Sequence, residues 1–298
     1  MRIPIPDIDQ LKQALGAFVD LTYIDKGGFK VVFKGVDKSK HTEAIKAIYI
    51  PTEADGFELT DIEEQTARAQ REIEALRLCT APCIVRLGSL EPRCVTVAAG
   101  NYLVYSEELL PGRKLSSFIG NEPKPNYEFL SGLLGFLIDV LEEMTRIGHL
   151  HRDIKPDNIF VTEIPDRPYV ILDMGIAFKM QGTQLTRRDT PPGTLRYMAP
   201  ELLMPDYKDN MDIRCDMYSA GLTLYEAATG VHPFAPRAEE AYATIYRIMN
   251  LKPTPLEEIR KDLPSDFCGI VDRCFKKNPA LRYSRIAMLK HELQETNS

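Results

Sequence analysis

The pattern of apolar residues changes once along this chain, and that change limits the folds open to it. Up to about residue 108 they come in short runs rich in Val, Ile, Phe and Tyr, as half-buried strands do. Phe18 to Val36 is one such stretch, interrupted at Asp25-Lys26-Gly27-Gly28 as a hairpin is. Ala44 to Ile50 follows with Lys46 in its middle, then Ile84 to Leu90 and Tyr102 to Tyr105. One main helix is predicted among them, with Ile73, Leu76 and Leu78 on its apolar side, and a short capped helix over Asp9 to Leu15. After Leu110-Pro111-Gly112 the repeat becomes helical. Residues 129, 133, 136, 137, 140, 141 and 144 are apolar, the spacing of one helix face. Further helices are predicted over Ile213–Thr229, Glu239–Met249, Asp266–Phe275 and Ile286–Glu295. The expectation is an α+β chain: an extension over 1–17, a small antiparallel β lobe with one main helix over 18–108, and a large, mainly helical lobe over 109–298. A cleft between two such lobes is a usual ligand site.

Composition removes several alternatives. The 298 residues are 44% apolar and 27% charged, as globular chains are. The net charge of −6 argues against nucleic acid as a partner. The opening MRIPIPDIDQ lacks the charged head and apolar stretch of a secretion signal. No apolar run is long enough to span a bilayer: Leu133 to Leu141 is short, carries Asp139, and reads as one face of a buried helix. The six cysteines are irregularly spaced, with no Cys-x-x-Cys pair. They read as free thiols in a reducing, cytoplasmic setting, and no membrane partner is expected.

The residues with the most chemical content are His151-Arg152-Asp153-Ile154-Lys155-Pro156-Asp157-Asn158. With a carboxylate and an amide five positions apart and a lysine between them, the run resembles the catalytic loop of protein kinases, and that resemblance implies phosphoryl transfer. The carboxylate orients an attacking hydroxyl and takes its proton late, the amide oxygen holds a metal ion, and the lysine offsets developing charge. A polar surface turn is the bland alternative, and the length of the pattern argues against it. The pattern resembles the catalytic loop of eukaryotic-like protein kinases, and its Lys-Pro-Asp-Asn ending is similar to the serine/threonine branch. The compact loops, including Val161 to Tyr169, resemble those of bacterial or phage-associated members. The resemblance runs from about Phe18 to Leu293 and implies the bilobal protein kinase fold.

Carried over residue by residue, the resemblance makes Asp153, Lys155, Asn158, Lys46 and Asp173 catalytic. Glu43-Ala44-Ile45-Lys46 is similar to the family's Val-Ala-Ile-Lys strand, so Lys46 holds the α and β phosphates of ATP and Glu72 pairs with it. Asp173-Met174-Gly175 stands where Asp-Phe-Gly is usual. Asn158 and Asp173 become the ligands of Mg2+, for which Mn2+ can substitute. Val32, Ala44 and Phe160 flank the adenine, and Leu76, His151 and Met174 stack as packing residues. Thr194, Glu201, Asp216 and Arg282 are structural: Glu201 ends the Ala-Pro-Glu, Arg282 pairs with it, and Asp216 supports the catalytic loop.

The chain departs from the family pattern in its glycine-rich loop, where Asp25, Gly27 and Lys30 stand at the three glycine places and Gly28 is added. Glycine serves there because backbone amides must approach phosphate. Gly27 and Gly28 are left to do so, with Asp25 adding repulsion and Lys30 attraction. Tyr105 or Ser106 is the expected gatekeeper, and backbone groups from Glu107 to Leu109 are expected at the adenine edge. Residues 53–64 carry six acids and read as a solvated acidic loop, or as a partner surface.

Arg152 before the catalytic Asp implies control by phosphate on the activation loop. Thr190, eleven positions before Glu201, is the expected site, with Thr186 and Thr183 as alternatives. Asp157, Glu107 and Glu108 imply a taste for basic residues before the target. The expected function is an autophosphorylating serine/threonine protein kinase acting on protein substrates, itself included. A pseudokinase scaffold is the alternative. An aminoglycoside-type small-molecule kinase shares the catalytic Asp and Asn but lacks the segment ending in Ala-Pro-Glu.

Overall fold

Two residue periods, two in the first third and 3.6 in the rest, generate most of the architecture. This computed structural model describes residues 3–174, 178–179, 195–204, 211–235 and 241–297. Two compact units emerge, Met1–Leu78 with Val85–Pro111, and Cys79–Ile84 with Gly112–Ser298.

In the first unit, α1 (Ile8–Leu15) starts where the Asp7 side chain accepts a hydrogen bond from the Gln10 amide. It ends at Gly16, which adopts a left-handed φ of 68°. The sheet is antiparallel and five-stranded: β1 (Phe18–Gly27), β2 (Lys30–Asp37), β3 (Thr42–Ile50), β4 (Arg93–Val97) and β5 (Gly100–Glu108), in the order β1-β2-β3-β5-β4. Alternation sorts their side chains onto two faces. Val31, Phe33, Ile45, Ala47, Tyr102 and Val104 are buried with Leu11 and Leu15 of α1 in one apolar core, the Val, Ile, Leu and Phe side chains each contributing about 1.5–3 kcal/mol. The opposite face carries Val32, Ala44, Lys46 and Tyr105, because Lys46 is in register with both Val32 and Tyr105. The 20-residue helix α2 (Leu59–Leu78) buries Ala69, Glu72, Ile73 and Leu76.

Three expectations for this unit need correction. The β1–β2 turn falls on Gly28-Phe29, with Gly27 directly paired to Lys30 and Asp25 to Gly27 inside the strand. Ile84 to Leu90 is not a strand. It meets strands through isolated bridges at Ile84 and Leu87 and scattered backbone hydrogen bonds linking Arg86, Gly88 and Leu90 to β5, without forming a ladder. Its residues Ile84, Val85 and Leu90 are buried, and Gly88 lets the chain run where a Cβ would lie 2.4 Å from Ser106 Oγ. The acidic stretch is not a plain loop, since Glu53–Asp55 forms a single 3-10 turn and residues 59–64 are the first turns of α2.

The second unit is built around α3 (Tyr127–Arg146), which begins at an Asn126 cap on the Phe129 amide and buries Leu130, Leu133, Leu134, Leu137, Val140, Leu141 and Met144. Short strands follow: β6 (Gly112–Lys114), β7 (His149–Leu150), β8 (Ile159–Thr162), β9 (Tyr169–Ile171) and β10 (Phe178–Lys179), in the pairings β6-β8-β9 and β10-β7. The remaining helices are α4 (Arg214–Thr229), α5 (Ala241–Asn250), α6 (Leu256–Ile259), α7 (Ser265–Cys274) and α8 (Ile286–Thr296). α4 is buried on all sides from Cys215 to Thr229. All six cysteines are free. Among the described residues no helix is long and apolar enough to cross a membrane.

Glu143 on α3 ties the second unit's 79–84 segment to its helix. Its Oε1 accepts from the Thr80 and Ala81 amides at 2.5 and 3.0 Å, and Arg146 forks onto both oxygens at 2.6 and 2.7 Å. The Arg146 bonds, helped by the two amides, hold the carboxyl down at about 2 against the pull of burial. A depressed folded pKa stabilises above the unfolded value near 4.5 and is lost as the pH falls toward 2. Glu143→Gln is expected to cost about 1–2 kcal/mol at neutral pH, allowing for solvent screening. Urea unfolding between pH 7 and 3 should also show a shallower acid slope for the variant. An unchanged slope would remove Glu143 from that role.

Candidate active site

The charged face of the first unit holds a network of two lysines, two glutamates and a tyrosine. Lys46 Nζ lies 2.6 Å from Glu107 Oε1 and 3.9 Å from Glu72 Oε1. Lys30 Nζ lies 2.6 Å from the same Glu72 oxygen. The Tyr105 hydroxyl donates to Glu72 Oε1 at 2.8 Å, with Glu107 Oε1 at 3.4 Å. The expected Lys46–Glu72 pair is therefore long, and each partner has a nearer one. Glu107 is fully buried, and that burial pushes its carboxyl up, with Lys46 opposing. Of the two residues expected as gatekeeper, Ser106 turns to the opposite face, where its hydroxyl accepts from the Leu90 amide. Tyr105 stays on the Lys46 face, and Glu107, in register with Ala44, is the next residue along that face. A buried Glu107 that is ion-paired to Lys46 does not read basic side chains of a substrate, which corrects that expectation. Val32 and Ala44 are half-buried on this face, and Leu109 is half-buried just past β5. Gly27 ends β1, and Gly28 in the turn has a φ of 54° that favours glycine.

In the second unit the catalytic-loop motif forms a tight turn fixed from behind. Asp216, near the start of α4, is fully buried, and its two oxygens accept from the His151 and Arg152 amides at 2.7 Å each. Burial pushes its carboxyl up, and His151 and the two amides counter this. These bonds hold Arg152 at a left-handed φ of 62°, which a non-glycine residue keeps only when its surroundings fix it. His151 is buried, and burial lowers its pKa. Its Nδ1 accepts from the Asp153 amide at 3.3 Å.

Asp153 receives Lys155 Nζ at 2.7 and 2.8 Å. The Asn158 amide nitrogen donates to Asp153 O and Oδ2 at 2.9 and 2.8 Å. Both amide hydrogens are thus used inward, which leaves the Asn158 oxygen as the group for a metal. Leu172 donates to the Asn158 carbonyl at 2.7 Å, and Asp173 follows with a φ of 68°. One amide and one carboxylate oxygen are hard donors that suit Mg2+, which usually takes one or two protein carboxylates together with phosphate oxygens. Among the described residues no group of three or more His, Cys, Asp or Glu side chains could hold a metal. Met174 and Leu76 are buried, each within its own unit, and Phe160 is half-buried on β8.

Glu201 and Arg282 meet in a buried fork, Nη1 to Oε1 at 2.5 Å and Nη2 to Oε2 at 2.8 Å. A second brace was not anticipated from sequence: the Tyr197 hydroxyl donates to Glu226, and Ser219 Oγ donates to the Tyr197 carbonyl at 2.8 Å. Both secure 195–204 to α4. Thr183, Thr186, Thr190, Thr194 and Gly175 lie outside the described residues.

Comparison with known proteins identifies the class of domain to which these residues belong. The protein kinase domain family matches residues 18–294, and the chain belongs to that family. A probable serine/threonine-protein kinase of Clostridium perfringens is 26% identical over 275 residues, 92% of this chain and 37% of its own. The probable serine/threonine-protein kinase PknB of Bifidobacterium longum is 27% identical over 91% of this chain and 38% of its own. Mitogen-activated protein kinase kinase 3 of Arabidopsis thaliana is 27% identical over 87% and 48%. The chain thus spans about two fifths of the length of the two bacterial relatives and about half that of the plant one.

Proposed function

We propose that this chain is a serine/threonine protein kinase that moves the γ-phosphoryl group of ATP to a protein hydroxyl. The observation that carries this reading is the closed set Asp153, Lys155 and Asn158, locked to one another and anchored through Asp216. Asp153 orients the substrate hydroxyl and accepts its proton as the new oxygen–phosphorus bond forms and the bond to the β-phosphate oxygen breaks, releasing ADP. Lys155, already on Asp153, offsets charge on the phosphoryl oxygens. Asn158 and Asp173 would hold Mg2+, which would supply positive charge against the phosphates.

The same reading makes Thr190, with Thr186 beside it, an autophosphorylation site answered by Arg152. It also makes Asp157, exposed beside Asn158, a contact for basic substrate residues. The acidic segment 53–64 remains a candidate surface for a regulatory protein. The scaffold alternative has one specific support: Lys46 has Glu107, not Glu72, as its nearer carboxylate.

Intact mass of phosphatase-treated protein before and after Mg-ATP, followed by phosphoamino-acid analysis, tests the reading. Increments of one phosphate on Ser or Thr are expected, with Thr190 among the sites. Thermal stabilisation by Mg-ATP with no mass change, and no labelling of a Ser/Thr peptide library, would leave the scaffold reading in its place.

A further inference from the structure

We propose that Lys30 is a phosphate-binding lysine of this site, and that Glu107 transfers that work to it by holding Lys46. The inference rests on the nucleotide-binding part of the kinase reading. Four observations carry it, all within the first unit.

First, β2 and β3 are in register at Lys30↔Ile48 and Val32↔Lys46, so both lysines project from one sheet face. Their heads lie within 4 Å of the one Glu72 oxygen. Lys30 follows directly on the Gly28-Phe29 turn and pairs across it with Gly27, beside the backbone expected to cradle phosphate.

Second, the carboxylates are shared unequally. Glu72 accepts Lys30 at 2.6 Å and the Tyr105 hydroxyl at 2.8 Å, with Lys46 at 3.9 Å. Glu107 has Lys46 at 2.6 Å and Tyr105 at 3.4 Å.

Third, the two lysines differ in what their departure leaves behind. If Lys46 swings to a phosphate, Glu107 is left buried with a long tyrosine contact, and an uncompensated buried charge is costly. If Lys30 leans toward a phosphate, Glu72 keeps the Tyr105 bond and Lys46. Between these two glutamates, the departure of Lys30 leaves the better-compensated carboxylate.

Fourth, the Lys30 side chain is 17% exposed and that of Lys46 is 8% exposed, so Lys30 is the more accessible head. A lysine at the place of the loop's last glycine also supplies charge where an amide would otherwise work alone. The division of labour is then specific: Lys46 neutralises Glu107 and supports Glu72, and Lys30 takes the phosphate.

The test uses the full chain with the non-hydrolysed analogue Mg-AMP-PNP in titration calorimetry, alongside steady-state phosphotransfer. Lys30→Met is expected to weaken analogue binding, and raise the KM for ATP, at least tenfold. Lys30→Arg should recover most of that loss. In a Glu107→Met or Glu107→Gln background Lys46 is released, and the added cost of Lys30→Met should fall below threefold. Two Glu107 variants are used so that one failing to fold does not end the test. Binding within twofold of wild type for Lys30→Met, together with a loss above tenfold for Lys46→Met, overturns the proposal. A tenfold Lys30→Met loss that is unchanged without Glu107 overturns the part assigned to Glu107. Wild type that binds the analogue but transfers no phosphate would sink the kinase reading and leave the Lys30 assignment to be judged by binding. Absence of binding by wild type would overturn both.

Discussion

Asp153→Asn is expected to lower phosphotransfer by about 10²–10⁴-fold, the usual worth of a positioned acid–base group, while the domain stays folded. The substitution keeps shape and removes charge and basicity. In the wild type, Asp153 accepts Lys155 on both oxygens and Asn158 on one, and its backbone is held through the Asp216 bonds to its two predecessors. An amide at 153 cannot take the substrate proton. Its NH2 would also oppose either Lys155 or the Asn158 amide, since all three are donors. Mg-AMP-PNP binding should change little, because Lys30, Lys46 and Glu72 belong to the other unit. Parallel measurement of kcat, analogue affinity and thermal midpoint checks this. Retained turnover within tenfold of wild type would remove Asp153 from the chemistry. Lost turnover with a midpoint lowered by more than about 10 °C would mark it as structural.

What the sequence made legible follows from how local each feature is. Asp153, Lys155 and Asn158 lie within six residues, and their contacts close inside one turn, so a linear motif carries nearly all of their geometry. Glu201 and Arg282 are far apart in sequence, but each sits in a distinctive short motif. The Lys30–Glu72 and Lys46–Glu107 pairs are different. They depend on which face of the sheet each side chain takes, and a one-residue slip in register reverses that. The apolar run from Lys46 to Ile50 does not show that Glu107 is on the same face, because Glu107 reaches it only through the β3–β5 pairing.

The misread segments have similar causes. Ile84, Val85 and Leu90 are apolar because they are buried, yet their segment pairs with neighbours through scattered bonds such as Gly88 N–H to the Ser106 carbonyl. β4 was missed because Arg93-Cys94-Val95-Thr96-Val97 is an edge strand that buries only Val95. α1 and α3 start slightly before the expected Asp9 and Phe129, because Asp7 and Asn126 cap them with side-chain oxygens while the apolar repeat begins later. α4 was predicted from its apolar content, but its complete burial was not, since a helix buried on all sides has no polar face to reveal its packing.

The largest stability loss is expected from the Glu201–Arg282 fork. The Arg282 side chain is fully buried and that of Glu201 is 9% exposed. Arg282 also donates to the carbonyls of Arg214, Lys276 and Lys277, at 2.9, 2.7 and 3.1 Å, and lies 4.9 Å over the Tyr218 ring. One side chain therefore joins the Pro200–Leu203 turn, the start of α4 and the segment before α8. Removing one member of a buried pair costs about 3–5 kcal/mol, chiefly because the other is left uncompensated. Glu201→Gln leaves the guanidinium its three carbonyl acceptors, so the lower end of that range applies. The thermal midpoint should fall by roughly 5–10 °C for a chain of this size. Arg282→Met should fall further, since it strands Glu201 and three carbonyls at once. The double variant separates the pair from its surroundings. If the charge pair dominates, Glu201→Gln with Arg282→Met will be less destabilised than the sum of the two single variants, with an interaction of about 1–3 kcal/mol. Strict additivity would mean that Arg282 acts through the carbonyls and Tyr218, with Glu201 a bystander to folding.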